Sequence, residues 1–258
     1  MQGLKELKRK LEDERVVLGA VVSSSDPTIC EGLGFAGYDF LWIDAEHNGL
    51  DYSDIMGHII AASSGGTASF IRVRKNEPDL VKPILDMGAD GIIFPMIKTL
   101  SDAEKAVRSC LYPPKGIRGI GPGRAVRYGI DDPLEYIHSK AESSVFRILQ
   151  VENAECVKNL EKIIEVEGID VLMIGPSDLS ASVGRLGEIK HPEMVRMIDK
   201  ICKTAAESGV RLGAFAGSDP DTLNFFLERG VEILAIGADR GFLMNGAKSC
   251  LEKVRSLL

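Results

Sequence analysis

Eight short apolar runs, separated by segments of helical period, recur along this chain, and that alternation constrains its fold more than any other feature. The runs are Val16–Val22, Phe40–Ile43, Ser69–Val73, Gly91–Phe94, Phe146–Val151, Val171–Ile174, Arg211–Phe215 and Glu232–Ile236. Between them Pro78–Met87, Ser101–Ser109, Ala154–Val166, Pro192–Ser208 and Asp219–Arg229 carry helix-spaced apolar residues. Several of these segments stop at glycine, as in Met87-Gly88, Ser208-Gly209 and Arg229-Gly230. Eight βα units in 258 residues predict an α/β fold, a single (β/α)8 TIM barrel over residues 1–258, preceded by an N-terminal helix. An open doubly wound sheet is the alternative, but no glycine fingerprint for a dinucleotide follows the first run and no phosphate-loop lysine pattern occurs. The segment Leu111–Ser144, rich in Gly, Pro and Arg, exceeds an ordinary βα loop, and loops that long usually carry function or cover a site.

Charge and cysteine usage narrow the partners. A net charge of −7, with Lys and Arg dispersed rather than striped, argues against nucleic acid and anionic membranes. No run approaches the roughly 20 apolar residues of a membrane span, and the charged amphipathic start Met1–Lys10 lacks a signal-peptide core. Cys30, Cys110, Cys156, Cys202 and Cys250 are odd in number and widely spaced, which reads as reduced thiols in a cytoplasmic protein.

In a barrel of this kind chemistry gathers at the C-terminal ends of the strands. The second run passes without a turn into Asp44, Glu46, His47 and Asn48. The third ends at Arg72, with Arg74 and Lys75 beyond it as rim charges. The fifth ends at Gln150 and Glu152, which share one side of an extended chain. The sixth leads into Gly175-Pro176-Ser177-Asp178. Glu152 and Asp178, from neighbouring strands, form a pair of oxygen ligands suited to a hard divalent cation such as Mg²⁺ or Mn²⁺, with Co²⁺ a further candidate. The ordinary alternatives are that Glu152 caps the next helix and Asp178 is a loop acid. His47, just past a buried strand, suits a general base, with Asp44 as its orienting neighbour, whereas the role of Glu46 stays open. Arg72 suits the stabilisation of an enolate oxygen, its alternative being a structural ion pair with a barrel acid. A cation, a base and such an arginine imply proton abstraction beside a carbonyl, or carbon–carbon cleavage that leaves an enolate. No run contains the lysine that a Schiff-base aldolase needs.

At this point the chain resembles the HpcH/HpaI-type, metal-dependent class II pyruvate aldolases, the 2-keto-3-deoxy sugar acid and 4-hydroxy-2-oxo-acid aldolases. The likeness runs from Leu18-Gly19 to Gly241-Phe242-Leu243 and includes Asp44-Ala45-Glu46-His47, Tyr112-Pro113-Pro114 and Gly175-Pro176-Ser177-Asp178-Leu179-Ser180. The resemblance implies Glu152 and Asp178 as metal ligands, His47 as base and Arg72 on the pyruvate enolate. It further implies that Gln150, Gly175, Pro176, Ser177 and Asp178 bind the 2-oxo acid. It makes Asp86 a carboxylate that acts on the histidine of a neighbouring subunit, and hence implies a homo-oligomer, typically a hexamer. By residue type alone Asp86 is an ordinary helix acid. Ala45, Asn48, Arg74-Lys75 and Gly121-Pro122-Gly123-Arg124 depart from the family pattern and bear on the choice of aldehyde.

The expected activity is therefore reversible cleavage of a 4-hydroxy-2-oxo acid to pyruvate and an aldehyde. A citrate-lyase-like or malyl-CoA-lyase-like enzyme is the second reading, with no basic run to receive a CoA. A third is a phosphate-binding barrel using the glycines of Ala216-Gly217-Ser218 and Gly237–Gly241, where Asp239 would repel the phosphate.

Overall fold

The computed structural model describes residues 2–13 and 15–258. Eight parallel strands close into a barrel in sequence order: β1 (Val17–Val22), β2 (Phe40–Asp44), β3 (Ala68–Arg72), β4 (Gly91–Phe94), β5 (Phe146–Val151), β6 (Val171–Ile174), β7 (Arg211–Phe215) and β8 (Ile233–Ala238). The helices in chain order are α1 (Gln2–Glu12), α2 (Thr28–Phe35), α3 (Tyr52–Ser64), α4 (Pro78–Asp86), α5 (Leu100–Cys110) and α6 (Pro133–Ser139). They continue with α7 (Ala154–Ile163), α8 (Pro176–Ser182), α9 (Pro192–Ser208), α10 (Pro220–Leu227) and α11 (Asp239–Arg255). The eight runs read from the sequence coincide with the eight strands, with ends moved by at most two residues. The barrel and its N-terminal helix are as expected.

Strand parity sorts the side chains into two cores. Residues 41, 43, 71 and 149 point outward to the helices, in one core with Ile55, Ile84 and Leu160. Phe40, Trp42, Phe70, Ile148 and Met173 point inward and fill the barrel, so it is packed rather than open. Phe70 lies between Phe40 and Phe146, with ring centroids 5.3 and 5.6 Å apart. The amphipathic α1 closes the N-terminal mouth: Leu4, Leu7 and Leu11 join this inner core. At the C-terminal mouth the inward series of β2, β3 and β5 close on polar residues, Asp44, Arg72 and Gln150, whereas those of β1 and β7 close on Val21 and Phe215.

Two features differ from a plain barrel. The segment from Leu111 to Ser144 joins the end of α5 to the start of β5, so it lies at the N-terminal end, away from the C-terminal mouth of its own barrel. There Arg118 reaches Asp86 and Arg124 reaches the Met87 carbonyl. It holds α6 and exposes Ile120, Tyr128 and Ile130. The final helix, α11, packs weakly on its own barrel: within it only Asp239 is buried, while Leu243, Leu251 and Val254 are at least half exposed.

Candidate active site

The C-terminal mouth holds a cleft of about 250 Å³ with two kinds of wall. His47, Arg72, Gln150 and Gly175–Asp178 form a polar side, whereas Val21, Trp42, Phe215 and Ala238 form an apolar one.

The polar side follows from register. β2 and β3 pair so that Asp44 stands opposite Arg72, both in the inward series. Arg72 donates from Nε to Asp44 Oδ1 at 2.8 Å, and its Nη2 lies 2.8 Å from Oδ2. This fork-to-fork pair is the strongest geometry available to the two groups. Nη1 lies 3.0 Å from Glu46 Oε2, and the guanidinium sits 5.0 Å from the ring of Trp42 below it. Arg72 is thus buried and fixed on three sides. The structural ion pair considered for it from the sequence is present, and Arg72 lines the cleft as well.

The loop after β2 is built around the same carboxylate. Asp44 accepts from the amides of Glu46 and His47 at 3.1 and 3.5 Å and from Asn48 Nδ2 at 2.9 Å. Asp44 therefore meets the backbone of His47 rather than its ring, and its principal side-chain partner is Arg72. The His47 ring is largely exposed, with Glu46 Oε2 3.6 Å from Nε2. Burial raises the Glu46 carboxyl above its ordinary range, opposed by the Arg72 charge.

Glu152 is the buried acid of the cleft, 2 % exposed. It does not cap the next helix: Asn153 does, accepting the Cys156 amide at 2.8 Å. Glu152 Oε1 accepts the Met96 amide at 2.6 Å, and Oε2 accepts from Gln150 Nε2. Met96 takes a left-handed backbone, φ 55°, which non-glycine residues seldom adopt; its amide donates to Glu152. Burial pushes the Glu152 carboxyl up to about 7; the Met96 amide counters this, while the nearby carboxylates of Glu46 and Asp178 add to it. Asp178 itself is exposed in the first turn of α8. Gly175 is needed where it stands: a Cβ there would lie 2.9 Å from Glu152 Cβ and 3.0 Å from Gln150 Nε2.

These features test the fit of a divalent cation. Among the described residues, no cluster of three or more His, Cys, Asp or Glu side chains surrounds one point, so a complete protein cage does not form. The donor set is instead two carboxylates, with Asp178 close enough to raise the proton affinity of Glu152, and Gln150 Oε1 buried beside Glu152 without a partner. A cation relieves that repulsion, and two carboxylates leave coordination positions for a chelating substrate and water. The residues fit.

Asp86 lies elsewhere. It ends α4 at the N-terminal end of the barrel, where Arg118 Nη2 donates to it at 2.9 Å, far from His47 of the same chain. At the rim between β1 and β8, Asp239 accepts from the Ser23 hydroxyl and from the Ser23, Ser24 and Arg240 amides at 2.7–2.9 Å. Of the amides in the Gly237–Gly241 loop, that of Arg240 is therefore taken by a carboxylate of the chain. Residue types alone could not reveal the Met96 amide or the Trp42 ring under Arg72. The positive φ of Met96 has no signal except its place after Pro95.

Comparison with known proteins gives the family and the fold. The family model described as HpcH/HpaI aldolase/citrate lyase matches residues 18–246. A hydroxypyruvate/pyruvate aldolase of Roseobacter denitrificans is 35 % identical over 97 % of both chains. A 5-keto-4-deoxy-D-glucarate aldolase of Shigella boydii is 34 % identical over 93 % of both. The crystal structure of an HpcH/HpaI aldolase/citrate lyase family protein from Burkholderia cenocepacia superposes with a TM-score of 0.90 at 34 % identity, covering 97 % of this chain and 99 % of that one.

Proposed function

The chain belongs to the HpcH/HpaI aldolase/citrate lyase family, and we propose that it is a metal-dependent aldolase cleaving a 4-hydroxy-2-oxo acid reversibly to pyruvate and an aldehyde. The single observation that most supports this is a buried arginine, fixed by Asp44 and Trp42, facing the same cleft as the crowded carboxylates.

Glu152 and Asp178 would hold Mg²⁺, Mn²⁺ or Co²⁺. When bound, the ion supplies a Lewis-acid charge that polarises the 2-oxo group and offsets the carboxylate repulsion. Gln150, Gly175, Pro176, Ser177 and Asp178 shape the berth of the 2-oxo acid, with the Ser177 and Asp178 amides as donors to its carboxylate. His47 takes the proton of the 4-hydroxyl, directly or through a water; the C3–C4 bond then breaks to give the aldehyde. The electron pair passes to the 2-oxo oxygen, and Arg72 stabilises that oxygen through N–H groups that Asp44 leaves free. Because Asp44 and Glu46 already hold the guanidinium, no side-chain reorganisation opposes this step. The aldehyde departs over the apolar wall of Val21, Phe215 and Ala238.

Exchange of pyruvate methyl protons in D₂O tests the scheme. The wild-type protein with Mn²⁺ exchanges them, EDTA stops it, and His47→Ala is inactive; no exchange by the metal-loaded wild type refutes it. Borohydride trapping of pyruvate on the protein would instead show a lysine mechanism.

A homo-oligomer, a hexamer by family likeness, is part of the proposal. It is supported by the exposed apolar side chains of α11 and by the distance of Asp86 from its own His47, since Asp86 would serve a neighbour. A monomer mass by sedimentation would remove this part. The chain's five cysteines are free thiols, four of them buried, which suits the cytoplasm. No helix among the described residues is long and apolar enough to cross a membrane.

A further inference from the structure

Arg74 reads from the sequence as a rim charge, but its guanidinium is turned back along the protein. It donates from Nε to the Ala45 carbonyl at 3.3 Å and from Nη2 to the Leu50 carbonyl at 2.6 Å. Those two carbonyls stand at the two ends of the loop that carries Glu46, His47 and Asn48. From inside, the loop is tied to the Asp44 carboxylate. From below, Ala45 and Leu50 seat its two ends in the outer core, and a cavity of about 130 Å³ lies between them and the layer of Ile55, Val73 and Ile84. The His47 ring is exposed, and its charged neighbour Glu46 lies 3.6 Å away, beyond a hydrogen bond, so its place is set by its backbone.

From this we propose that Arg74 is a positioning residue for His47: its fork ties the two ends of the loop after β2 and so fixes where the imidazole stands over the cleft. The inference rests on the reading of His47 as the base. Arg74 touches neither substrate nor cleft wall. A planar guanidinium can hold two carbonyls at a set separation, which a single ammonium head does less well. Misplacing a catalytic group by about 1 Å costs up to about a hundredfold in rate, so a loosened loop lowers turnover while the 2-oxo acid, gripped from β3, β5 and β6, binds as before.

The experiment compares Arg74→Ala and Arg74→Lys with the wild type in three measurements. The first is the NMR signal of the His47 Cε1–H, identified by its loss in His47→Ala. The second is kcat and KM for pyruvate proton exchange, and the third is thermal unfolding. The expected result is a displaced or broadened His47 signal and a kcat lowered about tenfold or more in Arg74→Ala, with KM within twofold. Arg74→Lys falls between Ala and wild type. An unchanged His47 signal together with an unchanged kcat in Arg74→Ala overturns the proposal. So does full activity of Arg74→Lys, which would make charge rather than the fork the cause. If Arg74→Ala fails to fold, the lysine variant decides alone. If the wild type exchanges no protons, the aldolase reading falls, while the NMR signal still reports whether Arg74 sets the histidine.

Discussion

Replacing Glu152 by glutamine should stabilise the metal-free protein in alkaline solution although it removes a proposed metal ligand. Burial, reinforced by Glu46 and Asp178, raises the carboxyl from its ordinary 4.5 to about 7 in the folded chain. Below the lower value both folded and unfolded chains hold the proton, and the residue costs nothing. Between the two the unfolded chain has released a proton that the folded chain retains, so stability falls as pH rises. Above the higher value the cost is complete. At 1.36 kcal/mol for each pKa unit it amounts to about 3 kcal/mol. Glutamine carries no such cost and keeps the packing: its oxygen accepts the Met96 amide, and once the Gln150 amide turns over, bringing Oε1 where Nε2 donates in the wild type, its NH₂ donates to that oxygen. Urea unfolding in EDTA, at one fixed protein concentration, checks this. Near pH 8 Glu152→Gln should exceed the wild type by about 3 kcal/mol, and near pH 4 the two should nearly agree. Mn²⁺ at a thousandfold excess over its Kd should then reverse the order, adding about 4.1 kcal/mol to the wild type and little to the variant. A variant less stable than wild type near pH 8, or a difference that ignores pH, would refute the reasoning.

Asp44→Asn removes the charge of the Arg72 pair and weakens three bonds of the His47 loop. It should cut kcat for proton exchange by about a hundredfold, on the scale of losing one oriented charge partner, with a smaller change in melting temperature. Steady-state exchange kinetics beside a melting curve separates the two effects. Arg118→Met should cost about 2 kcal/mol in urea unfolding: Arg118 is fully buried, and its loss leaves Asp86, itself one-fifth exposed, without its partner. A neutral result would show that the unpaired Nε and Nη1 of Arg118 already offset the value of the ion pair.

Most of the scaffold was legible because barrel strands obey a local rule. A run of inward and outward apolar residues reads the same in sequence as in space, and a polar residue that closes an inward series, as in β2, β3 and β5, must lie at the mouth. Residues 44, 72, 150 and 152 follow that parity, and they line or border the cleft. The 111–144 segment was recognisable by its length, but which end of the barrel it occupies depends on its order between α5 and β5. Likewise α11 reads as an ordinary eighth helix, and only its exposed Leu243, Leu251 and Val254 show that its own barrel does not claim its apolar face.

Beyond the last strand residue the local rule ends, and the pairings there are decided by register and reach. Asp44 stands three residues from His47 and invites the reading of an acid orienting a base. Parallel pairing instead sets it directly opposite Arg72, within the same inward layer. Two opposite charges in that dry layer pair before either turns to a solvent-facing ring, because an unpaired buried charge costs several kcal/mol by usual estimates. The loop backbone then folds onto the carboxylate's remaining lone pairs, and the imidazole is carried outward by that fold. Arg74 obeys the same logic in reverse. It is exposed enough to remain in water, yet two unpaired carbonyls at the ends of one loop match its fork better than solvent does. His47 is therefore held at two removes, by an acid that meets its backbone and not its ring, and by an arginine set back from the cleft.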